Sequence, residues 1–338
     1  MKEGIFPLLL FNTLNMIVIF SCDGDYSSDL VIDWLNYYKK PYLRINLYDF
    51  LISQVSGPVS YNLFERKINM GDKVIHLDEI KSVWLRKLGF LDGSILHERT
   101  LADGVKDRFL KIILQEIQPF FEHLFFELRH CNWICHPSKL RLNKFNVMRL
   151  AHDVGLSIPR TLVTNNKPEA MKFLKQSRAI TKSMNDSITL FENSNFYPMY
   201  TTEVFEDNLP DSFALSMIQR NIDKDFEIRI FFLVNKFYSV AIFSQSDQQT
   251  KTDLRRYNWN KPNRVVPYDL PDDIKSKLLS LFNSLELNTG SVDMIKTVSG
   301  EFIFLEINPF GQFGMVENPL NYNLHKLIAE KLIENDHD

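Results

Sequence analysis

Apolar and polar positions along this chain follow two periods, one near 3.6 and one of 2, which alternate from end to end. MIVIFSCDGDYSSDLVIDWLNYY reads as a buried strand, a polar turn and a helix with Val31, Leu35 and Tyr38 at helical spacing. PYLRINLYD is a second strand. KVIHLDEIKSVWLRK pairs a short strand with the strand-like IKSVWLRK, and Val105 to Leu128 is a long helical stretch carrying Phe109, Ile112, Ile113, Ile117 and Phe120. Residues from about 16 to 130 are therefore expected to form an α/β unit. Near CNWICHPSKLRLNK the helix is interrupted by Trp133, Pro137 and Ser138, and KLRLNKFNVMRLAHDVG starts another helix closed by Gly155. SIPRTLVTN predicts a strand, about 167–176 a helix, SRAITKSM a strand, then a polar NDS, several strands through 240, and a last long helix over Ile274 to Leu285.

The closing stretch SVDMIKTVSGEFIFLEINPFGQFG carries the densest chemistry. VDMIKTV and EFIFLEI are β-branched and aromatic, with Ser299–Gly300 as the turn of a hairpin. Glu306 and Asn308 are two apart, so they share a face of the second strand, and the hairpin can bring Asp293 beside them. Three oxygen ligands then converge ahead of a Gly-rich bend.

Composition narrows the function classes. At 338 residues, 45% hydrophobic and 24% charged, the chain can bury two or three domain cores. A net charge of −3 argues against wholesale nucleic-acid binding. Cys22, Cys131 and Cys135 make an odd set without a CxxC, which fits reduced thiols in a cytoplasmic protein. The N-terminal apolar run is broken by Asn12, Thr13 and Asn15 and has no small-x-small cleavage site before Cys22, so an export signal is not expected; residues before Met16 read as a frayed extension. No run is long and apolar enough to span a bilayer, and the histidines show no HExxH, so neither membrane nor zinc is expected. GxxxxGK[ST] and GxGxxG are both absent, so a nucleotide site would have to draw its cations from side chains and metal.

Four features in order point to such a site: Lys144 in LNKFNVMRLAHDVG, Lys182 in AITKSM, the segment MIQRNIDKDFEIRIFFLVN, and the Asp293, Glu306, Asn308 set. Together they resemble the ATP-grasp superfamily from about residue 137 onward. QRNIDKDFEIRIFF, SQSDQQTKTDLR and FLEINPFGQFG look most like the graspetide synthetases, the macrocyclases of ribosomally made peptides, in particular the grasp-with-spasm maturases. The resemblance implies an α/β (α+β) ATP-grasp fold behind an N-terminal Rossmann-like domain: residues 1–130 before the grasp, 131–205 as central subdomain, 206–338 as C-terminal subdomain with the metal site.

It also implies roles. Lys144 and Lys182 would contact nucleotide phosphates; otherwise they are a solvated helix-end lysine and an edge lysine that discourages strand pairing. Ser183, Asn185, Asp186 and Ser187 would form a loop over the phosphates, without the glycines such loops often carry. Gln219, Arg220, Asn221 and Ile222 would read the adenine edge. Glu227 would be a ribose residue or one that supports the site from behind, and Arg229, two apart on the same strand face, the stabiliser of an acyl phosphate, or else the two form a surface salt bridge. Asp293, Glu306 and Asn308 would hold Mg²⁺, since a hard cation takes oxygen ligands alongside waters and phosphate. Arg255 in the DLR motif, with Lys251 and Arg256, would meet a carboxylate-rich peptide. The expected cofactors are ATP and Mg²⁺. The expected partner is a ribosomal precursor peptide with a leader segment, anchored in a groove between the N-terminal and central domains, with a homodimer left open. The implied reaction activates an Asp or Glu side chain as an acyl phosphate, releases ADP, and joins the acyl group to a Ser, Thr or Lys side chain. The alternatives are a free-standing carboxylate–amine ligase acting on small amino acids or a protein tail, and a non-catalytic module on the same fold.

Overall fold

The structure is a computed structural model and describes residues 15–50, 57–86, 107–184, 189–192, 195–198, 200–247 and 260–334, with 249, 252, 253, 256 and 258. The chain divides into two compact units, Met1–Pro137 with Asn323–Asp338, and Ser138–Tyr322.

The first unit contains β1 (Met16–Ser21), α1 (Tyr26–Tyr37), β2 (Tyr42–Asn46), β3 (Val59–Asn62), β4 (Lys67–Met70), β5 (Lys73–His76), β6 (Ile80–Leu85), α2 (Asp107–Glu127) and β7 (Asn132–Ile134). A parallel sheet runs in the order β2-β1-β6-β7, as the apolar MIVIF and IKSVWL runs require of strands covered on both faces. Strands β3-β4-β5 form a separate antiparallel sheet. The expected helix over Val105 to Leu128 is α2, which continues through Pro119. Trp133, expected to interrupt, lies inside β7 and stacks on Phe20 at 6.2 Å, so this unit extends to Pro137 rather than 130. The last helix also belongs here, instead of with the hairpin: it buries Leu324, Ile328 and Leu332, and its Glu330 accepts a 2.7 Å hydrogen bond from Tyr38.

The second unit holds α3 (Lys144–Asp153), β8 (Thr161–Thr164), α4 (Lys167–Leu174), β9 (Ala179–Thr181), the hairpin β10 (Thr189–Glu192) and β11 (Asn195–Pro198), β12 (Thr202–Val204) and β13 (Ser216–Arg220). It continues with β14 (Lys224–Leu233), β15 (Lys236–Phe243), β16 (Arg264–Pro267), α5 (Asp272–Ser284), β17 (Thr289–Thr297), β18 (Phe302–Asn308) and α6 (Gly314–Leu320); the closing helix of the first unit, α7, spans Leu324–Ile333. A small antiparallel sheet has the order β12-β9-β13-β8, and a larger one β16-β15-β14-β17-β18. Ile228, Ile230 and Phe232 of β14, Val292 and Met294 of β17, and Phe304 and Ile307 of β18 share one core with Val147 and Ala151 of α3 and Leu278, Leu281 and Phe282 of α5. The period-2 alternation leaves the opposite face of β14, β17 and β18 for polar residues. Among the described residues no helix is long and apolar enough to cross a membrane.

Candidate functional site

The polar stripe lies across three neighbouring strands. Arg229 on β14 is opposite Asp293 on β17, and Asp293 is opposite Glu306 on β18; two pairs further along, Ser291 faces Asn308. Directly opposed residues project to the same side, so register alone gathers Arg229, Asp293, Glu306 and Asn308. A bulge between Asp293 and Met294 places Phe304, not Leu305, opposite Met294. That extra residue lets Phe304 and Ile307, three apart, both enter the core while Glu306 stays on the polar face. The turn at Gly300 has φ +93, and Gly311, with φ +59, forms the bend after Asn308 where a Cβ would meet Phe231 at 3.0 Å and Thr289 at 3.1 Å.

Two lysines reach the same carboxylate from other elements. Lys144 opens α3 behind Asn143, whose side chain caps the helix by accepting from the backbone N–H groups of Phe145 and Asn146 at 3.0 and 3.1 Å. Its Nζ lies 3.4 Å from Glu306 Oε2 and donates to the Ser183 carbonyl at 3.3 Å. Lys182 Nζ lies 3.8 Å from the same oxygen. The expectation that Lys182 sits mid-strand is corrected: pairing ends at Thr181, and Lys182 follows the strand end, where its side chain is free to turn to Glu306. Arg229 Nη1 donates to Asp293 Oδ1, while the buried Arg229 Nε has no hydrogen-bond partner. Burial raises the Asp293 carboxyl above its ordinary range, against the pull of Arg229 and with a further push from Glu306. Among the described residues three cations thus face two carboxylates.

Among the described residues no group of three or more His, Cys, Asp or Glu could hold a metal. The oxygen set on the stripe is different: Asp293, Glu306 and the Asn308 amide, which accepts from the Phe310 N–H at 3.0 Å through one of two lone pairs. That mixed hard-oxygen set fits a cation that shares its shell with phosphate and water.

Glu227 and Arg229 share a face of β14, yet they do not pair with each other. Glu227 is bound by Lys224 and by Ser244 Oγ at 2.7 Å, and burial pushes its carboxyl above the usual range. Neither Lys224 nor Ser244 stood out in the sequence. Gln219 Nε2 donates to Thr161 Oγ1 at 2.9 Å, and the backbone N–H groups of Arg220 and Asn221 donate to the carbonyls of Arg160 and Arg178. These hydrogen bonds tie the segment to the smaller antiparallel sheet and its strand ends, and Gln219 Nε2 also lies 3.4 Å from Met148 Sδ of α3; Ile222 follows β13 half-buried. Arg255, Lys251, Asn185, Asp186 and Ser187 lie outside the described residues, and Arg256 stacks over Tyr200 at 4.9 Å. Burial raises the thiols of Cys131 to about 11 and Cys135 to about 12, which suits packing groups rather than nucleophiles.

No family model and no curated protein matches the chain. Solved structures do. A RiPP-associated ATP-grasp ligase of Chryseobacterium gregarium, in complex with ADP and a leader and core peptide, superposes with a TM-score of 0.80 at 25% identity, over 95% of this chain and 97% of that one. The macrocyclase MdnC of Microcystis aeruginosa MRC, bound with precursor peptide MdnA, gives 0.76 at 25% identity over 94% and 99%. This chain is an ATP-grasp ligase resembling the graspetide synthetases. D-alanyl-alanine synthetase A of Vibrio cholerae shares the fold of this ligase at a TM-score of 0.56 and 11% identity, over 95% and 98%. The ATP-grasp ligase thus carries its polar stripe on the larger antiparallel sheet, with α3 and the end of β9 supplying the two lysines.

Proposed function

We propose that this ligase is an ATP-dependent peptide macrocyclase. The observation that carries the chemistry is the convergence of Lys144, Lys182 and Arg229 on Asp293 and Glu306, with a buried Arg229 donor lacking an acceptor. A buried unsatisfied donor is costly, and a substrate carboxylate or phosphoryl oxygen is the group that relieves it. The end-to-end likeness to a ligase holding leader and core peptides supports a peptide as that substrate.

The cofactors are ATP and Mg²⁺. Asp293, Glu306 and Asn308 would hold the metal, which supplies positive charge against the phosphate oxygens. Lys144 and Lys182 move from Glu306 to the phosphates, the first aided by the partial positive charge at the start of α3. Gln219 to Ile222 border the adenine. Arg229 holds the Asp or Glu side chain of the precursor in line with the γ-phosphate, and then the acyl phosphate that forms as ADP leaves. A Ser or Thr hydroxyl or a Lys amine of the same peptide displaces phosphate to give an ω-ester or ω-amide ring. Arg255 draws the acidic core residues. The enzyme works in the cytoplasm, with no covalent nucleophile of its own.

The test takes as substrate a short peptide with a Thr/Ser/Lys- and Asp/Glu-rich tail, sought among the open reading frames beside the gene. With ATP and Mg²⁺ it should lose one water per ring by mass spectrometry, with ADP released, and Arg229→Ala should raise the barrier by about 2.7–4 kcal/mol while ATP affinity changes only a few-fold. Free amino acids proving the better acceptors would assign the chain to the small-molecule ligases instead.

A further inference from the structure

Asn308 is the last residue of β18, and the turn that follows orients its side chain. The amide oxygen accepts from the Phe310 N–H at 3.0 Å, and the Asn308 carbonyl accepts from the Gly311 N–H at 3.2 Å. With Gly311 at φ +59 the chain folds back against the sheet, so closely that a Cβ there would meet Phe231 at 3.0 Å and Thr289 Oγ1 at 3.1 Å. Phe313 is buried beyond it, its ring centroid 5.0 Å from that of Phe231.

A side chain of β17 ties this turn to the sheet. Ser291 is fully buried, lies opposite Asn308 in the register, and donates from Oγ to the Gln312 carbonyl at 2.6 Å. A buried hydroxyl is costly unless it is bonded, and here the bond leaves the ladder for the turn. Thr289 makes the comparison. It is two residues earlier on the same face, 3% exposed, and donates likewise to a carbonyl, that of Phe232 at 3.0 Å, but its acceptor belongs to the neighbouring strand. The two hydroxyls are alike in burial and bonding and differ in what they hold.

We propose that Ser291 is a positioning residue for the metal site: by holding Gln312 it closes the 308–312 turn on the sheet, keeps the Phe310 N–H on one lone pair of the Asn308 amide oxygen, and so aims the other at a cation beside Asp293 and Glu306. A ligand that ends a strand has no ladder beyond it to fix its direction, and the turn supplies that constraint. The inference rests on the proposed function only in taking Asp293, Glu306 and Asn308 as the ligands of the metal.

Ser291→Ala in the full-length chain removes the tie and touches none of the three ligands. With Mn²⁺ as the probe and ADP saturating, free manganese followed by electron paramagnetic resonance should show the metal held about tenfold more weakly, while ADP affinity without metal, by calorimetry, stays within about twofold. Thr289→Val loses a hydroxyl from the same strand face and should leave manganese affinity within about twofold, because its bond does not reach the turn. Gly311→Ala strains the turn from its other side; it should weaken manganese binding as Ser291→Ala does, and the two together should cost little more than either, since both act through one turn. Thermal melting checks that each variant is folded. Unchanged manganese affinity in Ser291→Ala, or an equal loss in Thr289→Val, overturns the role of Ser291. Manganese left free by the wild-type chain with ADP bound overturns the metal site and this role together. A chain that meets every expectation here yet leaves peptides unmodified overturns the macrocyclase alone.

Discussion

Opposite charges are brought under cover in both units, and the two clusters differ in enclosure. In the first unit Asp25 and Arg86 form an enclosed ion pair, each side chain 4% exposed, with Nε and Oδ2 3.5 Å apart. Asp25 also caps α1, accepting from the Ser28 N–H at 3.2 Å and from Ser28 Oγ at 2.6 Å, and Ser28 Oγ lies 2.8 Å from Ser21 Oγ at the end of β1. The Arg86 backbone N–H is bonded to Phe20, so the pair pins the ends of β1 and β6 to the start of the helix. In the second unit, among the described residues, three cations meet two carboxylates, and Glu306 is 38% exposed. An enclosed pair holds the chain in place; a more open cluster of cations and carboxylates suits the polyanion and metal proposed for it.

The contrast predicts opposite consequences for single substitutions. Arg86→Met strands Asp25 under cover and should destabilise the chain by about 3–5 kcal/mol, measured by urea unfolding, while Arg86→Met/Asp25→Asn recovers most of that loss. A loss below about 1 kcal/mol would mean the pair is no more than a surface bridge in its energetics. Glu306→Gln should do the reverse. ADP release should slow by about 10²–10³-fold, the scale of removing one preorganised electrostatic group, with unfolding free energy changed by about 1 kcal/mol or less. Unchanged turnover in that variant would take the stripe out of the reaction.

The stripe was legible because it is written in alternation. EFIFLEIN places Glu306 and Asn308 on one face, the Ser299–Gly300 turn pairs that strand with the one bearing Asp293, and E-x-R puts Arg229 in the next strand at matching height. What stayed hidden depends on partners distant in sequence. The bulge beside Asp293 adds one residue to β18 without disturbing the local apolar pattern, and it is selected by how Phe304 and Ile307 fit the core. AITKSM looks continuous, yet its ladder ends at Thr181 because β12 and β13 do not pair beyond it. Strand β7 has three residues, too few to show a period, so Trp133 read as a break. Alternation also gave the face of Glu227 but not its partners, since Ser244 is brought to it only by the pairing of β14 with β15.

The smallest effect is expected where a charged pair has neither the enclosure of Asp25–Arg86 nor the clustered charges of the stripe. Arg178 and Asp223 are paired across the two chain segments flanking the proposed adenine border, and their side chains are 59% and 75% exposed. The contact that holds that border is a backbone one: the Asn221 N–H donates to the Arg178 carbonyl at 2.8 Å, whatever the Arg178 side chain does. Water and salt screen the exposed charges, and ordering two long side chains opposes most of what their attraction contributes. Asp223→Asn should therefore change unfolding free energy by no more than about 0.5 kcal/mol and leave ADP affinity within about twofold, at low and at physiological salt alike. Proximity to the nucleotide would then be insufficient to make an ion pair functional, and enclosure or clustering of charge would be what separates the two buried clusters from it. A salt-dependent loss of ADP affinity in Asp223→Asn would instead extend the working electrostatics of the site out to the surface, and the clustering of charge would no longer mark its edge.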